Sequence, residues 1–247
     1  MYIDNMIFEV TRKCNLNCRH CLRGCAQNIS MSKQTIQNTL KDVKGIGTIQ
    51  FTGGEPSLAL YQIRTIIDII MENNISIYNF WLKLNGTKYS KALLDYFNSL
   101  YQHIVADKEA CSLTFSSDKF HKNSNKIINS YLNKQWEYPF IQPPDKEDYR
   151  YLIKEGRARR TISGVHYRQA LYYNGWVTDE DIYPDRYKNM AMQYPVYISA
   201  NGNVISGCDL SFNHIDKYCF GNVNKESLKS IISKHLFDSE EIEEINI

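Results

Sequence analysis

Cys14, Cys18 and Cys21 follow an apolar run with the spacing C-x3-C-x2-C. Three soft thiolates on one short loop suit an iron–sulfur cluster, and with no obvious fourth protein ligand one corner of that cluster stays open for chemistry. Zinc is the alternative, although no fourth ligand is spaced as in the common fingers: His20 lies inside the loop and Cys25 just beyond it. Cys25 is read either as a bystander or as a fourth iron ligand. A second motif, Gly53-Gly54-Glu55-Pro56, combines two residues of minimal bulk, an acceptor and a fixed bend, which lets backbone approach a ligand closely.

The elements that must position these motifs alternate. Residues 6–11 are β-prone and deliver the chain into the cysteine loop; 32–43 read as a helix capped by Ser30 or Ser32, and 46–52 as a buried strand ending at Gly53-Gly54. The order repeats with a helix over 58–72, a strand over 75–84 ending at Asn85-Gly86, a helix over 89–102, a strand over 110–115 and a helix over 125–135. Such alternation predicts a parallel sheet with functional loops at the carboxyl ends of its strands. The cysteine loop, 53–56, Asn85-Gly86 and 116–121 all fall at such ends. Beyond Trp136 the pattern loosens through Pro139, Pro143 and Pro144. Near the end, 196–199 and 204–206 read as a hairpin about Asn201-Gly202-Asn203, followed by a helix over 226–236 and an acidic, solvated tail over 238–244.

Composition narrows the class. A chain of 247 residues accommodates one large α/β domain or one domain with a small appendage. Its 18 Tyr and 10 Phe either line a substrate cavity or fill the core. A net charge of +2, with basic residues concentrated only over 154–160, gives no case for nucleic acid and reads as a solvated face. No apolar run reaches membrane-spanning length and no secretory signal is read at the start, so the expected location is cytoplasmic. Seven cysteines, an odd number with four packed between Cys14 and Cys25, fit metal ligation in a reducing compartment better than a disulfide framework.

The cysteine loop CNLNCRHC together with TGGEP at 52–56 resembles the radical SAM enzymes. The resemblance runs to about residue 120 and returns in part in the C-terminal hairpin. It implies a partial (β/α)6 TIM-like barrel over 1–195, with a small hairpin-and-helix extension over 196–247. It also implies a [4Fe-4S] cluster on Cys14, Cys18 and Cys21 whose open iron is chelated by S-adenosyl-L-methionine. One electron, supplied by a partner such as flavodoxin or ferredoxin, would cleave that cofactor to methionine and a 5′-deoxyadenosyl radical, which takes a hydrogen from the substrate. The protein's task is then orientation and exclusion of competing reactions.

By the same resemblance, the backbone at Gly53, Gly54 and Glu55 meets the methionyl amine, and His20 packs over cluster and adenine. Asn85, in LKLNGT, lies near the nucleoside or is a plain turn residue. In SLTFSSDKFH, Ser112 or Ser116 meets the ribose or carboxylate, while Asp118 and His121 face substrate or serve as a helix cap and a surface histidine. Arg157, in IKEGRARR, steadies a cofactor or substrate carboxylate or is a surface arginine. The stretch from Asn201 to Ile231 resembles the opening of the cysteine-rich, SPASM/twitch-like extension of peptide-modifying members. It carries only Cys208 and Cys219, so an auxiliary cluster would need Cys111, Asp209, His214 or a substrate atom as a further ligand. The reading preferred is a hairpin and helix that caps the open barrel, with Cys208 and Cys219 structural or near substrate.

Modification of a ribosomally synthesised peptide or protein is the function these features suggest first. Radical chemistry on a nucleotide or small metabolite, or glycyl-radical activation of a partner enzyme, is the alternative. A noncatalytic iron–sulfur module would leave TGGEP unexplained.

Overall fold

The apolar run that enters the cysteine loop is β1 (Tyr2–Thr11), buried continuously from Met6 to Thr11 because neighbours cover both its edges and both its faces. The computed structural model describes residues 1–104, 106–117, 125–144, 151–160, 166–170, 172–177, 194–237 and 243. After β1 come α1 (Lys33–Leu40), β2 (Gly45–Gly53), α2 (Leu60–Glu72), β3 (Ser76–Leu84), α3 (Lys91–His103), β4 (Ser112–Phe115) and α4 (Asn125–Leu132). Four parallel strands in sequence order, β1-β2-β3-β4, make the arc expected of a partial barrel. A parallel bridge from Leu113 to Ile141 extends it. A separate parallel pair, β5 (Tyr151–Ile153) and β6 (His166–Arg168), follows.

Local chemistry sets the helix starts. Ser32, not Ser30, caps α1 by accepting from Thr35 N at 3.0 Å, and Ser90 caps α3 by accepting from Leu93 N at 3.2 Å. The helix expected from residue 58 begins instead with a 3-10 turn, Pro56–Leu58, before α2, because Pro56 fixes the first turn and Glu55 caps it. In α2, Ile63, Ile66, Ile67 and Ile70 recur at helical spacing and are buried against the sheet. Phe97 of α3 lies edge-on to Phe51 at 5.1 Å and tilted to Phe80 at 5.0 Å, and Phe80 meets Phe140 at 5.3 Å. These phenylalanines therefore fill the core.

Past β7 (Trp176–Val177), the hairpin β8 (Val196–Ile198) and β9 (Asn203–Ser206) forms in the expected place. Its loop is longer than a two-residue Asn-Gly turn: Gly202 N donates to Ser199 O at 2.8 Å, and Gly202 has φ +85°, a tight turn closed by a left-handed glycine. The hairpin does not stand apart as a cap. β8 pairs in parallel with β1, so the main sheet has the order β10-β9-β8-β1-β2-β3-β4, with β10 at Gly221–Asn222. Between β9 and β10 lies α5 (Phe212–Lys217). The final helix is shorter than expected, α6 (Leu228–Ser233), because Leu236–Phe237 leaves it to form β11 against β7. The acidic tail lies outside the described residues except Glu243. Among the described residues no helix is long and apolar enough to cross a membrane.

Candidate active site

The loop bearing the three cysteines leaves β1 at a bulge, where Glu9 faces Thr52 but Thr11 faces Gly53, so one extra residue turns the strand end toward the rim. Its two ends are tied together: Arg12 N donates to Ile29 O at 2.9 Å, Gln27 N to Arg12 O at 3.0 Å and Met31 N to Val10 O at 3.0 Å. Cys14, Cys18 and Cys21 all border one cavity of about 400 Å³, shared with His20, Gly53, Gly54, Glu55, Asn85, Ser116 and Arg157. That volume lies in the range of small-molecule sites. Among the described residues that line it there is no Tyr, Phe or Trp.

Close backbone approach explains the glycines. Gly54 N donates to Thr11 O and Glu55 N to Lys13 O, each at 2.8 Å, stitching the 53–55 segment to the strand that feeds Cys14. An added Cβ at Gly53, where φ is +142°, would stand 1.9 Å from Thr11 O, and at Gly54 2.2 Å from Lys13 O. Minimal bulk is thus required first by the protein itself, a pressure distinct from ligand approach. Glu55 is buried with both carboxylate oxygens engaged: one accepts from Ser57 N at 3.1 Å, the other from Asn85 N at 2.9 Å. Burial pushes its pKa up, against the pull of those hydrogen bonds. The Asn85 side chain accepts from Thr87 N at 3.1 Å and donates to Asn15 Oδ1 at 2.8 Å, so it joins the β3 loop to the cysteine loop. Arg157 also grips that loop, donating from Nε to Cys18 O at 2.8 Å and from Nη1 to Asn17 Oδ1, while its backbone N donates to Cys21 O at 2.9 Å.

Ser116 is on the cavity, its N donating to Leu84 O at 2.8 Å, whereas Ser112 starts β4 at the end away from the rim, about 13 Å along the strand. Asp118 and His121 lie outside the described residues. Cys208 is off the cavity, packed beside Ile7, Tyr197 and Ile205, and burial pushes its thiol up. Cys25 is exposed and absent from the lining.

A model of the radical SAM superfamily matches residues 8–130, and one described as an iron–sulfur cluster-binding domain, SPASM, matches 190–244. The uncharacterized protein MJ0907 of Methanocaldococcus jannaschii is 31% identical over 238 residues, covering 89% of this chain and 79% of that protein. The chain belongs to the radical SAM superfamily. Two solved structures share its fold: native anSMEcpe with bound AdoMet and Cp18Cys peptide (TM-score 0.54, 14% identity) and a histidine-tagged anSMEcpe with bound AdoMet (TM-score 0.50, 16% identity). Each comparison covers 94% of this chain and 80% of the other. This radical SAM protein is an iron–sulfur enzyme, with a [4Fe-4S] cluster and S-adenosyl-L-methionine as cofactors.

The donor set fits that cluster. Among the described residues no three His, Cys, Asp or Glu side chains close on a single-ion position. The three thiols border a wider space, and Leu16 N points at Cys14 Sγ from 3.4 Å, the kind of N–H···S contact that tunes a cluster thiolate. Burial pushes the free Cys14 thiol up, and the nearby Glu55 and Cys21 add to this, so a bound metal must displace its proton.

Sequence reasoning missed the charged residues beneath this radical SAM loop. Arg12 is fully buried and donates to Glu9 Oε1 at 2.6 Å and, through both terminal nitrogens, to Asp216 at 2.6 and 2.8 Å. Burial opposes its charge, but Asp216 and Glu9 hold it protonated beyond the ordinary arginine value. Glu9 also accepts from Tyr197 OH at 2.6 Å and Ala200 N at 2.9 Å. Arg23 and Arg168, both on the cavity, reach Leu210 O at 2.6 Å and Asp209 at 3.0 Å. An arginine two residues before Cys14 was a visible signal, but its partner 204 residues away was not.

Proposed function

We propose that this enzyme holds a [4Fe-4S] cluster on Cys14, Cys18 and Cys21, binds S-adenosyl-L-methionine in the adjoining cavity, and abstracts a hydrogen from a ribosomally synthesised peptide or protein in the cytoplasm. The observation that carries the reading is one cavity bordered at once by the three thiols, the Gly53–Glu55 edge, Asn85 and Ser116. When bound, cluster and cofactor together supply the reductive cleavage that yields methionine and a 5′-deoxyadenosyl radical; the electron comes from a flavodoxin or ferredoxin. The protein's residues hold and orient. The backbone at Gly54 and Glu55 borders the methionyl group, Asn85 the nucleoside and Ser116 the ribose or carboxylate, with His20 beside cluster and adenine. Arg157 fixes the cysteine loop, since its guanidinium is taken by Cys18 O and Asn17.

The match of 190–244 to the SPASM model supports a peptide substrate, as does the fold shared with a protein solved with a Cp18Cys peptide. In this reading residues 1–195 supply the barrel and 196–247 the extension. The test is anaerobic reconstitution and reduction with dithionite or flavodoxin, followed by mass spectrometry of 5′-deoxyadenosine. Its absence under all conditions overturns the radical assignment. Deuterated peptides encoded beside this gene should pass deuterium into 5′-deoxyadenosine; transfer only from a nucleotide or small metabolite would overturn the peptide half.

A further inference from the structure

The C-terminal segment matches a model for iron–sulfur cluster binding, yet its side chains are arranged for something else. All seven cysteines of the chain fall within the described residues, and after the three on the loop only Cys208 and Cys219 belong to this segment. Among the described residues, the alternative protein ligands already have other places or partners. Cys111 is buried beside β4, five strands from β9 or about 24 Å along the sheet. Asp209 is paired with Arg168, Asp216 with Arg12, and His214 stands 3.1 Å from the buried Glu155. Two thiols with no further donor among the described residues do not make the four-thiolate set of an iron–sulfur cluster.

The same segment instead touches the cysteine loop on both sides of its three thiols. Asp216 of α5 takes the bidentate contact from buried Arg12, two residues before Cys14, and Asn203 Nδ2 donates to the same carboxylate at 2.9 Å. Two residues after Cys21, Arg23 donates to Leu210 O at 2.6 Å and accepts at its own carbonyl from Phe212 N at 3.1 Å. A third tie runs through Glu155, which accepts from Ser211 N at 2.9 Å just before the Gly156-Arg157 turn that holds Cys18 and Cys21. A bidentate arginine–carboxylate pair fixes orientation as well as distance, so the Arg12–Asp216 contact sets where the chain enters the loop.

We propose that the C-terminal segment of this chain binds no second cluster and is a brace for the first, with Asp216 as a positioning residue acting through Arg12. The inference rests on the cluster reading above, and the experiment separates the two. Reconstituted parent protein should contain about four iron and four sulfide per chain, and Cys208→Ala/Cys219→Ala should contain the same. About eight of each, or loss of iron in the double variant, overturns the single-cluster half. Asp216→Asn keeps the side-chain shape and removes the charge. Relative to parent, it should lower cluster occupancy or 5′-deoxyadenosine formation about 10-fold and alter the electron paramagnetic resonance signal of the reduced cluster with S-adenosyl-L-methionine, at unchanged circular dichroism. Asp216→Glu should recover part of the loss. Glu226→Gln, in the same segment but with its carboxylate bonded to Lys234 and Ser230 rather than to the loop, should behave as parent. A folded Asp216→Asn with parent signal and turnover overturns the brace while leaving the cluster assignment intact. Parent protein that takes up no iron overturns the cluster reading itself.

Discussion

At Gly53 the backbone has φ +142°, and an added Cβ would come within 1.9 Å of Thr11 O. Gly53→Ala therefore combines left-handed strain with overpacking and is expected to cost about 3 kcal/mol of stability, read as a fall in denaturant midpoint at unchanged slope. Because Gly54 N and Glu55 N are bonded to the segment that feeds Cys14, the same variant should also lose cluster occupancy. Cys18→Ala separates stability from chemistry: it should abolish the iron–sulfur charge-transfer absorbance and 5′-deoxyadenosine formation, while circular dichroism stays close to parent. The spacing of Cys14, Cys18 and Cys21 was legible in the chain because clustered thiols are chemically distinctive. Glu55 was conspicuous in the sequence beside two glycines but not legible as a clamp, since its partner Asn85 arrives from another strand.

Between elements, Glu155 links the turn before Arg157 to the start of α5 through Ser211, Arg159 and His214. Burial raises its pKa, but the hydrogen bonds from Ser211 and Arg159 and the charge of His214 outweigh burial and hold it below the ordinary 4.5. The unfolded chain then takes up this proton first as pH falls, so the stability Glu155 contributes is full above about pH 4.5 and is lost as pH drops through the lower folded value. Glu155→Gln should flatten this acid limb in denaturant titrations run downward through the ordinary 4.5 of the carboxyl group. The strands and helices up to α4 could be read from periodicity because each buries one stripe or a whole strand. The last helix could not be bounded that way: Leu236 and Phe237 satisfy the same apolar pattern whether they extend α6 or pair with Trp176 and Val177, and pairing won.

Across the whole molecule, the hairpin β8–β9 extends the sheet that carries the cysteine loop, since β8 covers the open edge of β1. Removing residues 196–247 would expose that edge and leave Arg12 and Glu9 buried without Asp216, Tyr197 and Ala200. Truncation after residue 195 is thus expected to give an aggregating, cluster-free chain by size-exclusion chromatography, and the full chain a single cooperative unfolding transition. A soluble 1–195 fragment with full iron content would contradict this. The amino-acid order alone determined the cysteine spacing, the α/β alternation and the rim on which the motifs meet, because residue chemistry and short-range periodicity are local properties of a chain. Only the tertiary structure decided that Glu55 and Arg157 tie loops together, that Ser112 lies at the far end of its strand, and that Asp216 reaches Arg12. Those contacts join residues from about 30 to 204 positions apart, and no local spacing encodes which distant partner will complete a buried charge.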